Sequence, residues 1–175
     1  MSLFRRLFGD QSIGPVDKDA AIAYLVQLNR LRAKQDDEAS RYNDVLAKHG
    51  GGLAPGSDSL RAVADTARKM ANLNAQIAQE HAALGPIPDL AGACYGAWSI
   101  SWLSLKDWSS RAAAAYEGMY EGATPPYAAV NQLQQEEQRA RTAATKEEAK
   151  LLKALRVTAD EARRIVEEGE RGAGN

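Results

Sequence analysis

Apolar side chains recur along this chain at alternating steps of three and four residues, the spacing that lines one face of a helix. The pattern is cleanest over Leu60, Val63, Ala67, Met70, Asn74, Ile77, His81 and Leu84. Ser57, Asp58 and Ser59 precede it as N-cap candidates, because their side-chain oxygens can accept from the free amides of a first turn. Such a seam favours knobs-into-holes packing, and a lone Asn within it is a register-setting residue. An earlier helix starts after Pro15 and Asp17 and runs to about Lys48, with Tyr24, Leu28, Leu31, Tyr42 and Val45 on its seam. Gln35 and Glu38 stand where that seam wants apolar groups, so this section is either solvated or faces a polar patch on a neighbour. The run from His49 through three glycines to Pro55 and Gly56 separates the two helices.

A third helix follows a short turn at residues 85–88, which makes it an antiparallel neighbour of the second. Asp89 is its cap. Its main face carries Ala91, Tyr95, Trp98, Trp102, Leu105, Ala112, Tyr116 and Met119, while Ile100 and Leu103 lie opposite and Trp108 sits on a flank. Apolar residues over so much of the circumference predict a central position in a bundle. Gly92 and Gly96 would let a neighbouring backbone come close. The fourth helix starts at Tyr127 and meets no Pro or Gly before Gly169, which predicts one helix of some 40 residues, about 60 Å long. Residues 134–150 hold almost no large apolar side chain, and the seam returns at Leu151, Leu155, Ala162 and Ile165. Such a helix either projects past its bundle towards another molecule or lies along the first helix, pairing two polar middles in a wet layer. The expected fold is all-α: an antiparallel bundle of four long helices with coiled-coil-like packing, the fourth being the longest. The bundle domain spans residues 15–168, between an amphipathic segment and linker at 1–14 and a frayed tail at 169–175.

Composition narrows the functional classes. The net charge is -1 with both signs interspersed, so no field of one sign recruits nucleic acid. Cys94 is the only cysteine, which excludes an intrachain disulfide and a thiolate cluster. The arginines inside the opening apolar pattern argue against a secretory signal, and the expected location is cytoplasmic, with peripheral contact on the inner membrane face. The uncharged stretch at residues 90–105 is about 16 residues, short of the roughly 20 that cross a bilayer, and reads as a core helix.

Candidate chemistry is sparse. The sequence has no Glu-x-x-His, no His-Glu-x-x-His, no Gly-x-Ser-x-Gly and no phosphate loop, so no metal, cofactor or catalytic set is expected. In a hairpin of the second and third helices, His81 and Cys94 stand at similar heights on inward faces. An imidazole lowering the pKa of a thiol would make a nucleophile, but Cys94 lies in an apolar face where a thiol behaves as a small hydrophobe. Tyr95, Trp98 and Trp102 form an aromatic cluster that could lock a core or stack a planar ligand.

The first residues stand apart from this core. On a helix Leu3, Phe4, Leu7 and Phe8 share a face flanked by Arg5 and Arg6, followed by a linker at residues 9–14. Over these nine residues the chain resembles the membrane-targeting starts of ESCRT-III-like and other bilayer-associated proteins. Four such side chains supply at most roughly 6 to 10 kcal/mol of transfer energy before ordering costs are subtracted. Two arginines add about 1 kcal/mol each near anionic lipid. The expected function is a non-enzymatic helical scaffold or adaptor, tethered through this segment to a membrane surface or a protein partner, with self-association through the fourth helix or the spare face of the third. The alternative is a sensory or small-molecule-binding bundle that uses the aromatic cluster.

Overall fold

The structure, a computed structural model, describes residues 18–85 and 89–157, together with the helical positions Glu161 and Arg164. The amphipathic start (Leu3, Phe4, Arg5, Arg6, Leu7 and Phe8), the helix-start pair Pro15 and Asp17, and the tail from Gly169 lie outside the described residues. Four helices carry the fold: α1 (Lys18–His49), α2 (Asp58–Ala83), α3 (Asp89–Tyr120) and α4 (Tyr127–Leu155). A 3-10 turn over Gly50–Gly52 joins the first two. Among the described residues there is no strand.

Local chemistry sets the helix ends. Ser57 caps α2 from an extended backbone, its hydroxyl accepting from the Leu60 amide at 3.2 Å. The loop before it is pinned to the far end of α3, where the Gly56 amide donates to the Tyr120 carbonyl at 3.1 Å. α3 closes with two reversed bonds, Gly122 N–H to Met119 O at 3.0 Å and Ala123 N–H to Gly118 O at 2.8 Å, around Gly122 at φ +88°.

α4 ends in the same way but without a glycine. Arg156 takes φ 55°, its amide donating to Lys153 O and that of Val157 to Leu152 O, both at 3.2 Å. A left-handed conformation costs an L-residue roughly 1–2 kcal/mol, and here the burial of Leu152 and Val157 against the main core offsets it. This turn corrects two expectations, a fourth helix unbroken to about residue 170 and a fourth helix longer than the rest. α4 has 29 residues, against 32 for α1 and 32 for α3.

The four helices form an antiparallel bundle. Side-chain pairs fix the alternation: Tyr24 with His81 and His49 with Ser59 between α1 and α2, Ser99 with His81 and Arg68 with Glu117 between α2 and α3. α4 packs against α3, antiparallel to it, and is tied across to α1 by Arg32 to Glu148 at 3.0 Å and Arg141 to Asp36 at 3.9 Å. Of the two arrangements open to the fourth helix, its described part takes the one within the bundle, with α3 rather than α1 as its main neighbour. The α2 seam is buried from Leu60 to His81 at the predicted steps. Buried apolar residues divide into two clusters. The larger holds Tyr24, Leu28 and Leu31 of α1, Ile77 of α2, Cys94, Trp98, Trp102 and Leu105 of α3, and Ala144, Leu151 and Leu155 of α4. The smaller gathers Tyr42, Ala67, Met70, Ala71 and Ala113 at the other end.

Candidate functional site

Three features of the bundle bear on function: a closed polar centre, an unpaired polar layer and a bare aliphatic face. The first grows from the α2 seam, whose last buried residue is His81. Tyr24 of α1 and Ser99 of α3 arrive on either side of it. The Ser99 hydroxyl donates to the Tyr95 carbonyl at 2.9 Å, so its lone pairs face His81 Nδ1 at 3.3 Å. Nδ1 therefore carries the proton, and Nε2 accepts from the Tyr24 hydroxyl at 3.1 Å. The Cys94 thiol lies close to the Tyr24 hydroxyl. Tyr95 stacks on the imidazole with centroids 4.8 Å apart, and Tyr24 meets both rings edge-on.

This environment favours neutral groups. Burial lowers the His81 pKa to about 4. Burial, then the Glu148 carboxylate, push the Cys94 thiol up to about 12. Burial also raises the Tyr24 hydroxyl well above its ordinary range. His81 and Cys94, expected at similar heights in the hairpin, are each neighbours of Tyr24, and a protonated thiol with a neutral imidazole is not a nucleophilic pair. The sequence carried no signal for that placement of Tyr24.

Beside this centre, Glu148 accepts twice from Arg32 Nη1, at 3.0 and 3.2 Å, and once from Trp98 Nε1 at 3.2 Å. Arg32 lies over the Trp98 ring at 5.3 Å. Trp98 and Trp102, 5.4 Å apart, are core residues, whereas Tyr95 is half-buried with its hydroxyl on the Ala82 carbonyl. The proposed aromatic cluster thus splits, two indoles packing the core and one phenol serving the histidine.

The second feature is a layer of polar residues, one from each helix: Gln35, Asn74, Ser109 and Glu137, all buried. On α1, α2 and α3 each falls between the stretch that feeds the larger core cluster and the stretch that feeds the smaller. Both polar atoms of Asn74, Glu137 Oε1 and the indole nitrogens of Trp102 and Trp108 have no protein partner. Each such group costs about 1–3 kcal/mol when buried. Burial, only partly countered by Arg141, raises the Glu137 pKa above the ordinary carboxyl value. Gln35, expected on a solvated or patch-facing section, faces this layer.

The third feature is the outer side of α3, where Ile100 is 60% and Leu103 52% exposed. A methyl built on Gly96, one turn earlier, meets open space, so among the described residues the close neighbour expected there is absent. No helix among the described residues is long and apolar enough to cross a membrane, and none of their His, Cys, Asp and Glu side chains gather as a metal site. Compared with protein-family models, with curated proteins and with solved structures, the chain has no match.

Proposed function

We propose that this protein is a non-enzymatic scaffold that pairs with a second copy through the outer face of α3 and presents its amphipathic start to an anionic membrane surface. The exposure of Ile100 and Leu103 carries the reading, because large aliphatic groups one turn apart gain most by leaving water. Their stripe, at three- and four-residue steps, is Asp89, Ala93, Gly96, Ile100, Leu103, Asp107 and Arg111. It is self-complementary when inverted about Ile100. The small Gly96 of each copy, with open space around it, then leaves room beside the Leu103 of the other. A contact of this kind closes on itself with two-fold symmetry. Pairing also gives a purpose to a weak anchor: two starts on one particle bind a surface more tightly than one.

The aromatic-cluster alternative draws less support, since Trp98 and Trp102 pack the core and Arg32 covers a face of Trp98. The test is the mass in solution over a concentration series. The wild type should pass from monomer to dimer, and Ile100→Glu with Leu103→Glu should stay monomeric with unchanged helicity. A wild type that remains monomeric at millimolar concentration overturns the pairing. For the tether, sedimentation with phosphatidylserine vesicles should be lost in Phe4→Ala with Phe8→Ala. Equal sedimentation of both proteins, or none by the wild type, would reject lipid as the occupant.

A further inference from the structure

The polar layer in the middle of the bundle has its own chemistry, independent of the pairing face. Asn74 is 1% exposed, yet its amide nitrogen and its oxygen both lack a protein partner. On α2 it lies midway between His81, which meets Ser99, and Arg68, which meets Glu117. On α3, Trp108 lies midway between that Ser99 and that Glu117. The antiparallel register therefore sets Asn74 and Trp108 at one level of the bundle. The Trp98–Glu148 hydrogen bond fixes α3 against α4, and 11 residues further along each helix in the antiparallel register Ser109 and Glu137 stand at the same level. Trp108 packs against both core clusters, and its indole nitrogen is buried without a partner between them.

The unpaired atoms at this level specify their ligand. Trp108 Nε1 and Asn74 Nδ2 are donors only, while Asn74 Oδ1 and Glu137 Oε1 accept. An anion would satisfy the two donors but face the Glu137 carboxyl group. A metal ion would satisfy the two oxygens but leave both N–H groups unpaired. Only a small neutral molecule that both donates and accepts completes all four. We propose that the layer bounded by Gln35, Asn74, Trp108, Ser109 and Glu137 is an internal water-binding site, holding ordered water between the two core clusters. Water meets the requirement with the two to four polar partners that buried molecules normally have.

The test reads magnetisation transfer from water to the indole protons of the wild-type protein, with Trp108→Phe to assign the signal. Trp98, whose indole donates to Glu148, serves as the internal reference. The Trp108 indole proton should show a direct cross-peak to long-lived water that Trp98 lacks, and Asn74→Leu should abolish it. A Trp108 signal without such a cross-peak overturns the proposal. So does a high-resolution crystal structure that shows direct protein–protein bonds among these atoms, or a solute larger than water in their midst. The wild-type readout and the crystal structure remain decisive even where Asn74→Leu fails to fold.

Discussion

His81 and Asn74 occupy the same seam of the same helix two turns apart, and both are buried polar residues, yet their surroundings are opposite. Each ring nitrogen of His81 has a partner, supplied from α1 by Tyr24 and from α3 by Ser99. Both polar atoms of Asn74 have none from the protein. Burial is thus not what separates a stabilising polar group from a costly one. The deciding quantity is whether neighbouring helices deliver a group of the right donor or acceptor character at that height. The His81 centre couples three helices by direct bonds and should resist change. The Asn74 layer should tolerate apolar replacement, because its desolvation cost is offset less completely.

The largest expected effect is on stability against pH. The folded-state pKa of His81 is about 4, below the 6.5 of a free imidazole, so the unfolded chain binds the extra proton more readily. Its contribution is complete above neutral pH and is lost as pH falls from about 7 towards 4, by at most about 3 kcal/mol. Urea unfolding at a series of pH values should show that slope, and a flat profile would place the histidine in a more polar setting than the one described. Next in size is Tyr24→Phe, which removes the donor to His81 Nε2 and the partner of Cys94. It should cost about 1–2 kcal/mol in the same assay. Smallest is Glu137→Gln, with the opposite sign. A carboxyl group whose folded pKa is raised favours the fold while protonated and loses that advantage as pH rises through the folded value. The amide should therefore stabilise the protein by about 1 kcal/mol at neutral pH, and the gain should vanish in acid.

Much of this contrast is legible in the sequence, but only along single helices. The three-and-four stepping gave the α2 seam, the Ser57 cap and the odd placement of Asn74, Gln35 and His81 within apolar stripes. Equal distance from the 85–88 turn set His81 and Cys94 at similar heights, and both meet Tyr24. The rotation of α1 about its axis has no local signature, so the placement of Tyr24 did not follow. Ser109 and Glu137 lie among small or polar neighbours, and the register between helices rather than any motif buries them. Arg156 escaped for a different reason: an arginine in the left-handed region replaces the glycine that usually announces a helix end. Ile100 and Leu103 stood opposite the main face from the start, and the structure leaves that side uncovered.

The central claim is that partners, not burial, set the value of a polar residue in this core. Equilibrium unfolding of His81→Leu and Asn74→Leu at pH 7.5 tests it directly, since both introduce the same side chain on the same seam. The account predicts opposite signs, a loss of about 2–3 kcal/mol at His81 and a gain of about 1 kcal/mol at Asn74. Losses of equal size at both positions would contradict it.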